Sequence, residues 1–371
     1  MFAALPDPRQ ARGKRHAWSL ILTLISAAVV SGEQGLRAIG QWVDERRDEL
    51  CAVLCPPRQR LPSVATLRRA LRVIDVGDLE TRVAAFIQGL PVTLAKQEEA
   101  PPPVGLALDG KQVTGANRHG ATVHLISLTR HADARVLRQG AVAAKSNEIP
   151  AAPCLLAGLD LTNVVVTMDA LLTQATIATQ IRQQHGHYLM VAKDNQPSLT
   201  AAIALLFTDA APALPTDYWD RYTTIEKHHG RLETRTLERS AALNDYLDWP
   251  EVGQVLRRTT RVVDLKTGVV RQEITYGLTS LPAATTPPAV LEQLWRGHWT
   301  IENRVHYVRD VTFGEDAGRS WTGNTPHAFA ILHNVLLAIL RRHGWANIAD
   351  ALRHYGAYAQ RALALLHKPV H

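Results

Sequence analysis

Three acidic residues stand where their carboxylates could do chemistry together. Asp109 and Asp169 each close an apolar, β-prone run, in LALDGK and VVVTMDA, and Glu302 lies in WTIEN. A strand that ends in an acid lifts the carboxylate to the edge of a sheet. Carboxylate oxygens are hard ligands suited to magnesium or manganese, and two such ions about 3.5–4 Å apart can clamp the attacking and leaving oxygens of a phosphoryl transfer. The pattern therefore predicts a metal-dependent phosphoryl-transfer site.

Taken singly, each acid is weak evidence, because an aspartate at a strand end is more often a turn residue or a helix cap. The surrounding sequence is more specific. Asp109-Gly110-Lys111, Met168-Asp169-Ala170 and Lys193-Asp194-Asn195-Gln196 follow in that order, and RGHWTIEN surrounds Glu302. With these motifs the sequence resembles the DDE transposases of bacterial insertion sequences, of the H-repeat-associated type. The resemblance covers nearly the whole chain, from Asp7 to about Arg342.

The larger superfamily carries the signature Y-(2)-R-(3)-E-(6)-K around its third acid. This chain aligns with it at Trp295, His298, Glu302 and Arg309, of which the glutamate is identical. The alignment implies that Glu302 is the third metal ligand and that His298 and Arg309 contact DNA. On a helix predicted over about 288–310, the last three positions are spaced by four and seven and share one face. The rival candidates for the third ligand are Asp310, Glu315 and Asp316.

The elements that must position these residues begin with a helical N-terminal domain, predicted over residues 1–98. Leu61-Pro62-Ser63 marks a helix start, and Arg68 and Arg72 lie on the polar side of that helix. An amphipathic helix with a basic exposed face could lie in a DNA groove, as in a helix-turn-helix. A solvated charge face is the alternative interpretation.

From residue 99 to about 209, strand and helix patterns alternate: three strands, then helix, strand, helix, strand and helix. The resemblance implies an α+β or α/β fold, with a ribonuclease-H-like mixed sheet as the catalytic core. Such a sheet would bring Asp109 and Asp169 together. Residues 210–286 look like the β-rich insertion of related transposases. Residues 287–371 would complete the core with the third acid and with C-terminal helices packed against the sheet.

Further cations are candidates for DNA contact. Arg231 and Arg235 lie in HHGRLETR, which is similar to the HGRxExR string of the family and falls in the predicted β-rich insertion. Phosphate contact is the role expected of both. Lys193, in the KDNQ motif, is expected to contact phosphate as well.

Composition limits the partners and the compartment. Lys plus Arg exceed Asp plus Glu by 41 to 34, and this net charge of +7 suits a nucleic-acid partner. Three cysteines without a ligand pattern argue against a disulfide framework and favour a reducing compartment. The apolar run Ala17–Val30 mimics a signal peptide, but it is shorter than the roughly 20 residues that cross a bilayer. No P-loop occurs, so no nucleotide cofactor is expected.

The sequence thus predicts a cytoplasmic transposase in which Asp109, Asp169 and Glu302 hold two Mg²⁺ or Mn²⁺ ions. Its expected partners are double-stranded DNA, as terminal inverted repeats and target, and a second copy of the chain on that DNA. No membrane partner is expected. Three alternatives stay open: a metal-dependent nuclease that cuts without joining, a domesticated DNA-binding protein that no longer transposes, and a secreted protein.

Overall fold

The computed structural model describes most of the chain. The described residues are 2, 7–9, 14–90, 102–113, 123–143, 147–208, 219–317 and 322–367. The predicted domain boundaries near residues 98 and 209 lie outside these ranges.

In the described sequence, helices precede the first strand, lie between strands and follow the last strand. The first five are α1 (Trp18–Val30), α2 (Gly35–Glu45), α3 (Arg47–Leu54), α4 (Val64–Val73) and α5 (Val76–Gln88). The next four are α6 (Ala151–Leu156), α7 (Ala175–Gln183), α8 (Pro197–Leu206) and α9 (Pro288–His298). Two π-helical segments, Glu302–His306 and Val308–Thr312, precede α10 (Thr325–Arg342), α11 (Ile348–Gly356) and α12 (Ala359–His367).

The strands of the described part form one mixed sheet. They are β1 (Val104–Val113), β2 (Val123–Arg130), β3 (Val136–Ala141), β4 (Val164–Met168), β5 (His187–Ala192), β6 (Trp219–His228), β7 (Arg231–Ser240), β8 (Gln254–Asp264) and β9 (Val270–Thr279). Their order across the sheet is β3-β2-β1-β4-β5-β9-β8-β7-β6. The pairs β1–β4 and β4–β5 are parallel, and the other neighbours are antiparallel. The result is a mixed α+β fold around a large sheet.

The central parallel strands are apolar because helices cover both of their faces. β4 has the sequence VVVTM, in which Val165 and Met168 are buried. Parallel strands that are covered on both faces are continuously apolar for this reason. Helices α6, α7 and α8 share a core with Met168 on one face, whereas α9 packs with Val165 on the other.

The predicted β-rich insertion is not a separate sheet. β9 pairs antiparallel with β5 from Leu189↔Thr279 to Ala192↔Tyr276, so β6 to β9 extend the sheet that carries the predicted core strands. A hairpin pattern such as that of β8 and β9 predicts local pairing. It cannot show that the last strand also joins a strand much earlier in the chain.

The C-terminal helices were expected to pack against the sheet, and this holds for part of α10, where Ala330 packs with Val113 and Leu125. Most of α10 and the apolar sides of α11 and α12 instead share one core with α1 to α5. Ile25 of α1, Leu332 of α10 and Leu363 of α12 are all buried in this core. An apolar stripe predicts that a helix is buried, and it does not identify the surface that buries it.

The apolar run at the N-terminus forms α1, whose buried residues include Ile21, Leu22, Leu24 and Ile25. No single helix in the described part of the chain has the length and apolarity to cross a membrane. The pair α1 and α2, bent by 100°, meets that requirement by length and composition only.

Candidate active site

The register of β1 and β4 brings two of the three predicted acids side by side. The last parallel pair is Leu108↔Met168, so Asp109 and Asp169 are the next residue on each strand. Neighbouring strands lie about 4.8 Å apart, which makes these carboxylates neighbours at one edge of the sheet. A hydrogen bond from the backbone N–H of Leu172 to Oδ1 of Asp169, 3.2 Å long, orients the second carboxylate. The predicted proximity of the two aspartates is confirmed.

Asp109 lies in a strongly negative environment. Burial, and then repulsion from Asp169 and Glu148, raises its pKa to about 7. Nδ1 of His306 is 3.5 Å from its Oδ2, but burial holds the pKa of His306 at about 3. His306 is therefore neutral near physiological pH and does not offset the carboxylate charge.

Glu302 lies close enough to the aspartates to respond to their charge. It is the first residue of the segment Glu302–His306 and its side chain is exposed. Partial desolvation, and then repulsion from Asp169, raises its pKa. Repulsion from Glu302 in turn contributes to the raised pKa of Asp109. The three acids thus form one electrostatically coupled group.

This group suits a divalent cation by its chemistry. Its donors are hard carboxylate oxygens, the ligands that magnesium and manganese prefer. In the described part of the chain, neither Asp109, Asp169 nor Glu302 forms an ion pair with lysine or arginine. The described residues contain no group of three or more His, Cys, Asp or Glu side chains already arranged to hold a metal. The three carboxylates are thus neighbours without a lysine or arginine partner among the described residues.

The helix predicted over 288–310 is interrupted, and this changes where its residues face. α9 ends at His298, and Glu302 begins a π-helical segment in which the N–H of Tyr307 bonds to the carbonyl of Glu302. Hydrogen bonds from i to i+5 widen each turn relative to an α-helix. A spacing of seven therefore no longer returns Arg309 to the face of Glu302. The expected single face of His298, Glu302 and Arg309 is wrong for this reason.

Arg309 is buried rather than available to DNA. It has no exposed surface, and its Nε and Nη2 lie 2.8 Å and 2.9 Å from the two carboxylate oxygens of Glu315. Its Nη1 also donates to Oε1 of Gln139 at 3.0 Å. The predicted DNA contact of Arg309 is therefore corrected to a role in the interior.

The same contacts bear on the rival acids. Both oxygens of Glu315 are engaged by Arg309, and His333 lies 2.6 Å from one of them. Asp310 forms an ion pair with Lys111 of the DGK motif, whose side chain is almost wholly buried. Of these acids, Glu302 is the one without an ion-pair partner among the described residues.

His298 contacts Thr167, which lies two residues before Asp169. Its Nδ1 lies 3.1 Å from Oγ1 of Thr167, and the same hydroxyl lies 3.0 Å from Nε2 of His131. Burial lowers the pKa of His298, although Asp169 opposes the shift, and it lowers the pKa of His131 to about 3. Both imidazoles are therefore neutral. The expected DNA contact of His298 is corrected, because a neutral ring turned towards Thr167 does not replace the signature arginine.

The other predicted contacts divide into exposed and engaged cations. Lys193 is exposed just after β5, at the same sheet edge as Asp169. Arg231 is exposed at the turn between β6 and β7. Arg235 is not free: its Nη1 lies 2.8 Å from Glu226 and its Nη2 lies 2.5 Å from Glu233. A phosphate could reach Arg235 only in competition with these carboxylates.

Arg68 and Arg72 lie on the solvent side of α4, and both side chains are exposed. Leu67 and Leu71 are fully buried on the opposite side of this helix. The predicted amphipathic helix is confirmed, and its contact with DNA stays a prediction.

Sequence reasoning missed several residues around the acids. Glu148, Thr167, His131 and His306 contact or influence the group, yet none belongs to the predicted set. Thr167 lies two residues before Asp169 in an apolar strand, and a polar residue there is a signal that could have been used. The position of Glu148 follows from the fold and has no comparable signal in the sequence.

Comparison with known proteins gives consistent matches along the chain. Residues 95–340 match the family described as "Transposase DDE domain", and residues 1–87 match the family described as "DDE_Tnp_1-associated". The chain is 29% identical over 352 residues to "Putative transposase YncI" of Escherichia coli O157:H7, covering 91% of this chain and 86% of that protein. It is 27% identical over 347 residues to "H repeat-associated putative transposase YhhI" of Escherichia coli K12, covering 91% and 88%.

Among solved structures, the chain is similar to a piggyBac transposase synaptic complex with hairpin DNA. The identity is 10%, the TM-score is 0.44, and the match covers 95% of this chain and 73% of the other.

Proposed function

The chain belongs to the transposase DDE domain family, and from this premise we propose that Asp109, Asp169 and Glu302 carry out its chemistry on DNA. As a member of that family, the protein is a transposase, an enzyme that cuts and transposes DNA. One observation carries the assignment of residues. Asp109 and Asp169 each follow directly after Leu108 and Met168, the last residue pair between the parallel strands β1 and β4. The repulsion between Asp169 and Glu302 adds the third carboxylate.

The three acids would hold two divalent ions, Mg²⁺ or Mn²⁺. When bound, such ions activate a water or a DNA 3′-hydroxyl and stabilise the leaving oxygen of the displacement. The chain itself supplies the placement of the ligands. The sheet register fixes Asp109 and Asp169, and the π-helical segment presents Glu302. Because no lysine or arginine ion pair of the described residues neutralises these acids, their charge is available to cations.

The catalytic part of the sheet is a ribonuclease-H-like core. The order β3-β2-β1-β4-β5 supports this assignment, together with antiparallel pairing of the first three strands and parallel pairing of the last three. This arrangement was expected from the resemblance. It sets β1 beside β4, which is the pairing on which the site depends.

The substrate is double-stranded DNA, comprising the terminal inverted repeats and the target. Lys193 and Arg231 are exposed cations for phosphate contact, and Arg68 and Arg72 on α4 are candidates for contact with the element ends. Strand transfer joins two cut ends at nearby positions, and one site per chain cannot easily hold both. Two copies therefore act together on DNA, and a closed two-fold arrangement is the commonest one for identical chains. Three free thiols agree with action in the cytoplasm.

The test is strand cleavage and joining on DNA that carries the terminal repeats. Asp109→Asn, Asp169→Asn and Glu302→Gln should each abolish Mg²⁺-dependent cleavage and leave DNA affinity within a few-fold, because each change removes a ligand charge and keeps the size. Glu251→Gln is the matched control, since Glu251 is an exposed acid paired with Arg182. Cleavage at the wild-type rate by any of the three variants removes that residue from the site.

Two further results separate the alternatives. Cleavage without joining by the wild type would identify a nuclease, and binding without cleavage would identify a domesticated DNA-binding protein. Loss of cleavage in Glu315→Gln or Asp310→Asn, with Glu302→Gln active and all variants folded, would transfer the third-ligand role to the rival acid.

A further inference from the structure

A fourth carboxylate lies beside the three acids assigned above. Glu148 is located in the segment between β3 and α6, where its backbone carbonyl accepts hydrogen bonds from Ala151 and Ala152, each 3.0 Å long. These bonds form the first turn leading into α6, so the backbone of Glu148 is fixed. The residue as a whole is only 8% exposed.

The carboxyl group of Glu148 lies directly over Gly110. A Cβ atom built at Gly110 would be 1.9 Å from both Cδ and Oε1 of Glu148. Any residue with a side chain at position 110 would therefore displace this carboxylate. Glycine at this position allows the carboxylate to lie against the backbone next to Asp109.

The carboxylates of Glu148 and Asp109 lie on opposite faces of the sheet, at the end of the pairing between β1 and β4. Successive residues of a strand point to opposite faces, so Glu148, above Gly110, lies on the other side from the carboxylate of Asp109. The pairing of β1 with β4 stops at Leu108, which leaves the backbone beyond it uncovered on that side. The carboxylate of Glu148 thus lies against the backbone of the residue that follows Asp109.

A histidine orients the carboxylate of Glu148. Nε2 of His124, on β2, lies 2.8 Å from Oε1 of Glu148. No hydrogen bond or ion pair of the described residues engages Oε2. None of the four acids pairs with a lysine or an arginine in the described part of the chain. A buried carboxylate of this kind is stabilised by a proton or by a compensating cation, and a divalent ion at the neighbouring acids would supply the cation.

We propose that Glu148 is a fourth carboxylate ligand of the metal site, binding the ion that Asp109 also binds, and that His124 positions it. This inference rests on the proposed function, because it assumes that Asp109, Asp169 and Glu302 hold divalent ions. It assigns to the segment before α6 a direct part in that site.

The test measures Mn²⁺ binding to the intact protein without DNA, by titration calorimetry, so that it does not depend on activity. Glu148→Gln keeps the volume and the hydrogen bond to His124, and it should weaken Mn²⁺ binding by about tenfold or more. Gly110→Ala keeps Glu148 in the chain and moves its carboxylate away, so it should weaken binding similarly. Glu251→Gln, the exposed acid, should bind as the wild type does. Circular dichroism verifies that each variant is folded.

The outcomes separate this inference from the function on which it rests. If the wild type binds no Mn²⁺, the metal site itself is wrong. If the wild type binds, Asp169→Asn loses binding and folded Glu148→Gln binds as the wild type does, Glu148 is not a ligand and the three-acid site stands. Should Glu148→Gln fail to fold, Gly110→Ala decides the question: unchanged binding overturns the proposal, and a loss of tenfold or more supports it.

Discussion

Arg309 and Glu315 form a doubly hydrogen-bonded ion pair in the interior of the protein, with N–O distances of 2.8 Å and 2.9 Å. The pair closes the second π-helical segment, because Glu315 lies just beyond its end at Thr312. His333 of α10 contacts the same carboxylate and stacks on Phe313, with the two ring centroids 4.5 Å apart. The segment that follows Glu302 is thus tied to α10.

Arg309→Met should destabilise the protein and should leave the DNA affinity of the folded protein unchanged. Removing one partner of a buried ion pair leaves an uncompensated charge, which costs about 3–5 kcal/mol. The free energy of unfolding, measured by urea denaturation, gives this value. Arg231→Met is the matched control at an exposed arginine, where a change within about 0.5 kcal/mol is expected. An Arg309→Met protein of wild-type stability and weakened DNA binding would restore Arg309 as a DNA contact.

Acid should destabilise the protein through Glu315. Burial alone would raise the pKa of this carboxyl, but the charge of Arg309 and the hydrogen bond from His333 hold it well below its usual range. Because the pKa of the folded state is lower than that of the unfolded state, the contribution is fully present above about pH 4.3 and is lost as the pH falls further. The free energy of unfolding of the wild type should therefore decrease more steeply as the pH falls below about 4.3 than that of Glu315→Gln. Parallel pH profiles of the two proteins would exclude Glu315 as the source.

Arg68→Ala and Arg72→Ala should weaken binding to the element ends. A contact with base edges is worth about 1–3 kcal/mol each, and a contact with phosphate lowers the salt slope by about one. Fluorescence anisotropy at several salt concentrations measures both quantities. Arg82→Ala on the neighbouring helix α5 is the control, because Arg82 is ion-paired with Asp78. Unchanged affinity and slope in both variants would make these arginines a solvated charge face.

Arg231→Glu should reduce complexes of paired DNA ends more than binding to a single end. Arg231 is exposed at the turn between β6 and β7, the last two strands at one side of the sheet. Arg235→Glu should act differently, because it sets a third acid beside Glu226 and Glu233 and loosens the strands first. Native gel mobility with one-end and two-end DNA measures the effect. Equal losses on both DNA forms in Arg231→Glu would indicate an ordinary phosphate contact within one subunit.

His298→Arg should destabilise the protein although it restores the residue of the superfamily signature. The ring of His298 lies against Thr167 in a desolvated environment, where a permanent charge is costly. His298→Gln, which is neutral and can still bond to Thr167, should lose less stability. Thermal unfolding of both variants tests this order. A more stable His298→Arg protein would show that the position tolerates a cation.

The sequence was sufficient where the chemistry coincided with a local pattern. Asp109 and Asp169 follow apolar runs, and adjacent parallel strands bring such strand ends together. Arg68 and Arg72 were predictable because Leu67 and Leu71 mark the buried side of their helix. In both cases the period of the apolar residues determines which side chains face outward.

The rest of the site could not be predicted, because it depends on structural features that the periodicity of apolar residues does not indicate. The π-helical turns after Ile301 alter the direction of Arg309, and nothing in the spacing of apolar residues indicates them. Glu148 reaches the site through the crossing of α6 over the sheet and through the open space at Gly110. Both are properties of tertiary packing rather than of local sequence.

The pairing of β5 with β9 has a consequence for synthesis of the chain. β5 ends at Ala192, but the strand that covers its outer edge begins only at Val270. At about 5–20 residues per second, a ribosome leaves this edge open for several seconds. An open strand edge is a template for pairing with another chain, so messages truncated before residue 279 should give aggregating fragments. The enlarged sheet thus makes the catalytic core dependent on translation of the chain through β9.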